Sequence, residues 1–355
     1  MQQTLERFQD QVRAAASAGR PLRIRGGGTK DWYGRQPDGD LLDTRAHAGI
    51  IDYEPTELVI TARCGTPLAE IESALAGRKQ MLAFEPPHFG AGATLGGTIA
   101  AGLSGPRRAS SGALRDFVLG AKLLDGKGEV LTFGGQVMKN VAGYDVSRLL
   151  AGSLGTLGLL LEVSVKVLPV PFAETTLRFD MREPDALRRL NEWGGQPLPI
   201  SASCWHEGVL ALRLSGAQAA VDAAVRSLGA AHGGDIMADC ARFWAGLREQ
   251  HHAYFAGSMP LWRLSVPSTA GAIALGPQLI EWGGAQRWLR ADGDAATAGR
   301  IRTIVSACGG HATLFRGGDK GAGVFQPLAP AIAKIHERLK AGFDPAHIFN
   351  PGRMV

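Results

Sequence analysis

The sequence predicts an α+β protein of two domains followed by a C-terminal tail. Its 355 residues exceed the length of one typical domain. Residues 1–172 alternate helical and short strand patterns around glycine-rich turns, whereas residues 173–326 alternate strand patterns with amphipathic helices. Residues 327–355 add one amphipathic helix and a Pro-Gly turn. We therefore expect a first domain over 1–172, a cap over 173–326, and a tail that returns to the first domain.

Helices and strands of the first domain are indicated by apolar spacing and by end signals. Apolar residues at helical spacing predict a helix over residues 5–18. Thr66 as the N-cap and Pro67 at the first helical position predict a second helix, which Gly77 ends. Strands are predicted over residues 21–25, 41–43, 50–53, 58–62, 117–123, 130–133 and 159–168, with 117–123 and 130–133 joined as a hairpin.

The cap and the tail show a different order of elements. Four strands alternate with amphipathic helices, which predicts an antiparallel sheet with helices on one face. One more amphipathic helix, around residues 331–339, belongs to the tail. The predicted strands of the cap are 176–179, 209–214, 262–266 and 286–289, and its predicted helices are 184–193, 217–228 and 299–307.

Three glycine-rich segments of the first domain predict a site for a phosphate or a flat ring. They span residues 93–105, 139–145 and 152–158. Residues 26–29, which follow a predicted strand, are a further place where backbone donors could wrap a phosphate, and a tight turn explains them equally well. Glycine lacks a Cβ atom, so its backbone amide can approach a ligand closely and can adopt a positive φ. A helix that begins near Gly97 would also direct its unpaired amides at an anion. For any single segment the alternative, a plain surface loop, stays open.

Composition and spacing argue against several other kinds of site. The net charge is +5, but the arginines are scattered, which argues against nucleic-acid binding and favours a basic surface that attracts small anions. The four cysteines lie far apart, so we expect no metal site. No glycine segment matches the dinucleotide fingerprint or a Walker loop. Without a signal peptide or an apolar stretch of about 20 residues, we expect a cytoplasmic protein that reaches the inner membrane only through partners.

The ordered set of glycine motifs resembles the vanillyl-alcohol oxidase family, whose fold is also called the PCMH-type FAD-binding fold. Residues 25–29 resemble the family's first pyrophosphate loop, and residues 93–100 resemble its second. The resemblance implies a PCMH-type FAD-binding domain of two α+β subdomains. A C-terminal cap with an antiparallel sheet and helices follows this domain in the sequence. Further motifs follow in the family's order at residues 112–116, 125–126, 139–145 and 152–158.

Residues 139–146 and the ending at 343–354 are similar to the FAD-binding subunits of bacterial glycolate oxidases, also called glycolate dehydrogenases. That resemblance covers nearly the whole chain. It implies a complex in which a larger FAD-containing subunit and an iron–sulfur subunit accompany this chain, with a small 2-hydroxy acid as substrate and electrons passed to the iron–sulfur subunit. By position it implies FAD contacts at Arg25, Gly26, Gly27, Gly28, Thr29, Pro87, Thr94, Leu95, Gly96, Gly97, Ala100, Gly102, Ser104, Gly105, Gly155, Leu157, Gly158, Glu162 and Asn350.

The resemblance also assigns parts of FAD to these residues. The first two glycine loops would hold the diphosphate, residues 102–105 would pass the flavin ring, residues 155–162 would flank the adenine and ribose, and Asn350 would return toward the isoalloxazine. Thr29 stands where covalently flavinylated relatives place a histidine, so we expect non-covalent FAD. The cap lacks the His-x-His and acidic metal cluster of the larger 2-hydroxy-acid dehydrogenases, which argues against independent substrate oxidation.

Catalytic residues cannot be assigned from the sequence, although three candidates stand out. Arg316 and Lys320 lie in a charged loop that could bind a substrate carboxylate, and a solvated loop is the favoured alternative. His88 precedes the second glycine loop and could lie near the ring edge, and a turn histidine without a chemical role is equally probable.

These observations leave three functional hypotheses open. The leading hypothesis is the FAD-binding subunit of a glycolate-oxidising complex, in which flavin chemistry converts glycolate to glyoxylate and electrons pass to the iron–sulfur partner. The second is a self-sufficient, FAD-dependent 2-hydroxy-acid dehydrogenase that resembles D-lactate dehydrogenases. The third is a non-catalytic scaffold subunit that holds FAD or has lost it.

Overall fold

The computed structural model describes residues 2–135 and 145–354, which divide into two compact units. Unit one comprises Met1–Leu103, Ala113–Pro169 and Pro327–Val355, and unit two comprises Ser104–Gly112 and Val170–Gln326. The predicted motif at residues 139–145 lies outside the described residues except for its last position, Asp145.

The elements are numbered here in chain order. The helices are α1 (Gln2–Ala18), α2 (Leu68–Ala76), α3 (Leu95–Ala101), α4 (Arg108–Ser111), α5 (Val146–Leu150), α6 (Glu183–Gly194), α7 (Gln218–His232), α8 (Cys240–Arg248), α9 (Ala295–Ala307) and α10 (Pro330–Phe343). The strands are β1 (Leu22–Arg25), β2 (Asp40–Asp43), β3 (Ile50–Glu54), β4 (Val59–Arg63), β5 (Gln80–Met81), β6 (Val118–Leu124), β7 (Val130–Gly134), β8 (Leu159–Lys166), β9 (Leu168–Pro169), β10 (Ala173–Asp180), β11 (Ile200–His206), β12 (Val209–Gly216), β13 (Asp235–Ile236), β14 (Leu261–Ser265), β15 (Gln278–Glu281), β16 (Gln286–Arg290) and β17 (His311–Arg316).

Unit one, within the described residues, is built on an antiparallel sheet with the strand order β3-β4-β8-β6-β7. Strand β8 lies at its centre, and most of its side chains are buried, as its nearly continuous apolar run predicts. Helices α2 and α3 pack Ile71, Leu75 and Ile99 into the same apolar core, so the sheet supports the start of α3 rigidly. A separate parallel pair joins β1 to β2, with Leu22 opposite Asp40.

Helix α2 begins one residue later than predicted. Its first residue is Leu68, and Pro67 occupies the N-cap position. The side chain of Thr66 does not cap the helix, because its hydroxyl accepts a hydrogen bond from the Gly49 amide at 2.9 Å and donates to the Arg63 carbonyl at 2.7 Å. Thr66 therefore ties the end of β4 to the loop before β3.

The tail is anchored to β1 of unit one. The buried Asp344 side chain accepts hydrogen bonds from the Phe349 amide at 2.8 Å and from the Lys340 ammonium at 2.5 Å. These contacts turn the chain after α10, and Phe349 then forms a parallel bridge with Leu22. As a result, the residues that follow Phe349 run beside the end of β1.

Unit two holds an eight-stranded sheet, with the order β13-β10-β12-β11-β15-β16-β14-β17 in the described part of the chain. All of its recorded pairings are antiparallel, as predicted, but the prediction of four strands is wrong. The segment before β10 also joins this unit, because Arg107 in the Ser104–Gly112 stretch forms an ion pair with Glu174 at 2.6 Å.

Candidate functional site

A cleft in unit one collects the glycine loops that the sequence singles out. It contains about 720 Å³ of empty space, including the part that opens to solvent. Four segments form its walls: the chain that follows β1, the start of α3, the start of β8, and the tail. The lining residues are Ile24, Arg25, Gly26, Gly27, Gly28, Thr29, Lys30, Asp31, Thr44, Cys64, Thr94, Gly96, Gly97, Ala100, Ala101, Leu154, Gly155, Gly158, Leu159, Leu160, Asn350 and Arg353.

The first glycine loop follows β1 and presents unpaired backbone donors. Among the described residues, no hydrogen bond is formed by the amides of Gly26, Gly27, Gly28 and Thr29. Gly28 has a φ of +75°, so the chain reverses there without the strain that a side chain would add. Consecutive free amides around such a reversal form a concave site suited to an anion.

The first and second glycine loops are in direct contact. A Cβ atom at Gly27 would lie 1.4 Å from the Gly92 carbonyl oxygen, and one at Gly26 would lie 2.4 Å from the Thr94 hydroxyl oxygen. No side chain fits at either position. The two loops therefore share one cleft because both glycines lack side chains.

The start of α3 does not supply the free amides that the sequence predicts. The Leu95 amide donates to the Thr66 carbonyl at 2.9 Å, and the Gly96 amide donates to the Cys64 carbonyl at 2.8 Å. Thr94 caps the helix by accepting a 3.3 Å hydrogen bond from the Gly97 amide. The expectation of orphan donors at this helix end is wrong, because the chain after β4 runs alongside and accepts their hydrogen bonds.

The tail and the chain before β8 complete the cleft. Asn350 is buried, its Oδ1 accepts from the Ile24 amide at 2.9 Å, and its Nδ2 donates to the Leu154 carbonyl at 2.7 Å. Gly155, with a φ of +71°, leaves room for this amide, since its Cβ would lie 2.8 Å from Asn350 Nδ2. Asn350 thus joins three walls of the cleft.

Charged side chains give the cleft an excess of positive charge. Arg25 and Asp31 form an ion pair at 2.6 Å, whereas Lys30 and Arg353 add two more cations. The Lys30 ammonium donates to the His88 carbonyl at 3.1 Å and lies over the Phe89 ring. An anionic ligand is therefore favoured over a cationic one.

Cys64 lies at the wall of the cleft without being chemically activated. Burial raises the pKa of its thiol, and the nearby Glu162 carboxylate acts in the same direction. The reactive thiolate is therefore disfavoured at this position.

Seven of the predicted FAD contacts lie outside the lining of the cleft. Glu162 forms an ion pair with Lys122 at 2.8 Å across the sheet. Gly102, with a φ of +65°, ends α3, and its Cβ would lie 2.7 Å from the Gly152 Cα, so its role is in packing. Leu95 and Leu157 belong to the apolar core, Pro87 is buried, and Ser104 and Gly105 belong to unit two, where the Gly105 carbonyl accepts from Trp282 Nε1 at 3.1 Å.

The three catalytic candidates have protein partners. His88 Nε2 lies 3.0 Å from a Glu72 carboxylate oxygen and does not line the cleft. In unit two, Arg316 donates to the Gln250 side chain, and Lys320 begins the short 3₁₀ turn Lys320–Ala322. Across the described residues no group of three or more His, Cys, Asp or Glu side chains has metal-binding geometry.

Sequence reasoning missed several lining residues, above all Lys30 and Arg353. Lys30 directly follows the first glycine loop and could have been found from that position. Arg353 stands two residues after Pro351 in the ending motif, but its burial depends on the turn made by Asp344, which the sequence does not reveal.

Comparison with known proteins identifies the fold and its relatives. The sequence profile of an FAD binding domain matches residues 2–134. The chain is 49% identical over 346 residues to the glycolate oxidase subunit GlcE of Escherichia coli (strain K12), covering 97% of this chain and 95% of that protein. It is 32% identical over 159 residues to the glycolate oxidase subunit GlcD of Bacillus subtilis (strain 168), covering 44% of this chain and 34% of that protein.

Two further comparisons concern a dehydrogenase and a solved structure. The chain is 32% identical over 152 residues to a D-lactate dehydrogenase of Archaeoglobus fulgidus, covering 42% of this chain and 33% of that protein. A solved alkyldihydroxyacetonephosphate synthase superposes with a TM-score of 0.67 at 15% identity, covering 97% of this chain and 73% of that one. Together these matches confirm the predicted α+β, PCMH-type fold and the predicted cofactor, FAD.

In the described part of the chain, no helix is long and apolar enough to span a membrane.

Proposed function

The chain belongs to the family of the glycolate oxidase subunit GlcE, and we propose that it holds FAD non-covalently as one subunit of a multi-subunit complex that oxidises glycolate to glyoxylate. Residues 1–172 form the FAD domain of this proposal, residues 173–326 form the cap, and residues 327–355 return the tail to the FAD site. Bound FAD supplies an acceptor for the two electrons removed from the C2–H and hydroxyl groups of a 2-hydroxy acid.

The free amides of the first glycine loop carry the proposal. The amides of Gly26, Gly27, Gly28 and Thr29 have no partner among the described residues, and these residues line a cleft with an excess of positive charge. A diphosphate offers the acceptor oxygens that such a set of donors requires. The second loop contributes shape: Gly96 and Gly97 at the start of α3 keep the wall free of side chains.

The lining chemistry supports non-covalent binding. Thr29 occupies the position of the histidine that covalently flavinylated relatives use, and no histidine or tyrosine is among the described residues that line the cleft. Cys64 is present, but burial keeps its thiol protonated.

The partners belong to the proposal as well. We place this chain beside a larger FAD-containing subunit and an iron–sulfur subunit, which receives the electrons. A cytoplasmic location, with contact to the inner membrane only through these partners, completes the proposal. Arg316, Lys320 and His88 remain candidates for substrate contacts.

An anaerobic reduction titration tests the proposal. The purified lone chain is expected to show flavin absorbance that persists when glycolate or D-lactate is added, and to lose it when the partner subunits are present. Bleaching of the lone chain by either acid would instead establish a self-sufficient dehydrogenase. A colourless chain that takes up no added FAD would leave only the scaffold hypothesis.

A further inference from the structure

Arg353 is a buried cation at the wall of the cleft whose hydrogen-bonding capacity is only partly used. Its side chain is 9% exposed, and its Nη2 atom donates to the carbonyls of Lys30 at 3.2 Å and Tyr33 at 3.3 Å. Its Nε atom is buried and has no hydrogen-bond partner in the described part of the chain. A buried charged donor without a partner is costly, so such an atom signals a group that occupies the space beside it.

Among the described residues that line the cleft, the one carboxylate near this charge is shared with another arginine. Asp31 is the acidic residue that lines the cleft, and its carboxylate already pairs with Arg25 at 2.6 Å. Burial lowers the pKa of the Arg353 guanidinium, Asp31 raises it, and the neighbouring Arg23 lowers it further. The environment therefore disfavours the cation as it stands, and an added anion would relieve that cost.

We propose that Arg353 is a diphosphate-binding residue, which extends the FAD site from the first glycine loop to the C-terminal tail. The proposal rests on the function proposed above and goes beyond it, because it adds a charged side chain to a site otherwise built from backbone amides. The two carbonyl contacts hold the guanidinium against the segment that directly follows residues 26–29. The Nε–H group and the positive charge of the guanidinium then bind the phosphate oxygens.

The test compares ligands with and without phosphate in matched variants. FAD binding to the apoprotein is measured by flavin fluorescence, and ADP and adenosine are measured as competitors. Arg353→Met removes the charge, and Arg353→Lys keeps the charge but loses the fork of donors. Arg35→Met is the matched control, because Arg35 is an exposed arginine beside the tail that does not line the cleft.

The expected result is a selective loss of affinity for phosphate-bearing ligands. Arg353→Met should raise the Kd of FAD and the inhibition constant of ADP by about ten-fold to a hundred-fold, since a charge-assisted hydrogen bond is lost. Adenosine should compete as well as before, Arg353→Lys should fall in between, and Arg35→Met should match the wild type.

Two results would overturn the inference while leaving the proposed function in place. Unchanged FAD and ADP affinities in both Arg353 variants would show that the side chain only fastens the tail. Equal losses for FAD, ADP and adenosine would show that it only shapes the loop. Failure of the wild-type chain to bind FAD would instead remove the proposed function itself.

Discussion

At the scale of single residues, the site depends on glycines that have no Cβ atom. Gly27 is in contact with the Gly92 carbonyl, and the space for a Cβ atom at Gly27 is filled to within 1.4 Å. Consecutive glycines after a strand predict free amides in this loop, and among the described residues these amides form no hydrogen bond. The sequence could not reveal that the amides of Leu95 and Gly96 donate hydrogen bonds to carbonyls that are distant in the chain.

Replacing Gly27 by alanine should therefore abolish FAD binding. The added methyl group must push the first loop away from the second, because the obstructing atom belongs to the backbone. We expect flavin absorbance to be lost from the purified variant. Gly194→Ala is the control, because no atom lies within 4 Å of its Cβ position and it ends a helix in unit two. Normal flavin content in Gly27→Ala would contradict the assigned contact between the loops.

A second residue-scale prediction concerns the amide of Asn350. Asn350→Ala leaves the Ile24 amide and the Leu154 carbonyl without their buried partner. We expect the free energy of unfolding to fall by about 2–4 kcal/mol, from two unsatisfied groups in a buried position. Urea unfolding followed by tryptophan fluorescence measures this value. A change below about 0.5 kcal/mol, the range of ordinary surface substitutions, would argue against the role of Asn350 in joining the walls of the cleft.

At the scale of elements, the tail depends on one buried ion pair. Lys340 and Asp344 lie one helical turn apart at the end of α10, and the Asp344 side chain is fully buried. Lys340 also donates to the Thr156 and Phe349 carbonyls, so the pair connects α10 to both ends of the turn. Burial lowers the pKa of Lys340, and the hydrogen bond to Asp344 partly offsets that effect.

Asp344→Asn should destabilise the protein by about 3–5 kcal/mol, because it leaves a buried ammonium without its counterion. The double variant Lys340→Met with Asp344→Asn should recover part of that loss. Urea unfolding of the two single variants and the double variant completes the cycle. Strictly additive losses would show that the two side chains are not coupled.

Glu174 provides a pH-dependent prediction for β10 of unit two. Burial raises the pKa of this carboxyl, but Arg213, Ser215 and Arg107 together lower it below its usual value of 4.5. The ion pairs of Glu174 with Arg107 and Arg213 therefore stabilise the fold above about pH 4.5. This stabilisation is lost as the pH falls through the pKa of Glu174 in the folded state. Glu174→Gln should cost about 1.5–3 kcal/mol at pH 7.

The difference in free energy of unfolding between the wild type and Glu174→Gln should shrink as the pH falls below 4.5. Urea unfolding at pH 7, 5 and 3.5 measures this difference. Arg182→Gln is a suitable control, because its partner Asp185 is on the surface of α6 and the Arg182 side chain is 86% exposed. A gap between wild type and Glu174→Gln that stays constant with pH would contradict the assigned ion pairs.

Sequence patterns found most elements of unit one but missed half of the sheet in unit two. Strand β11 contains Ser201 and Ser203, which are polar yet buried, and both make hydrogen bonds there: Ser201 contacts the Arg213 carbonyl, and Ser203 accepts from the Gly283 amide. Strand β15 likewise buries Glu281, which accepts from Trp288 Nε1 at 2.6 Å. Alternation of apolar and polar residues cannot identify strands whose polar side chains are satisfied inside the protein.

At the scale of the whole molecule, one chain combines a cofactor domain with a second unit of comparable size. The cleft, the tail and the first glycine loop all belong to unit one, whereas the cap strands and two of the catalytic candidates belong to unit two. FAD should therefore stabilise unit one by mass action, and about 2.7 kcal/mol is expected when its concentration reaches a hundred times the Kd.

The most direct measurement is an equilibrium titration of the wild-type apoprotein with FAD, followed by displacement with ADP. The account predicts saturable binding of one FAD per chain, with ADP competing for the same site, because the free amides of residues 26–29 bind the diphosphate that both ligands share. Binding that does not saturate, or FAD that ADP at high concentration fails to displace, would contradict the assignment of that loop to the diphosphate.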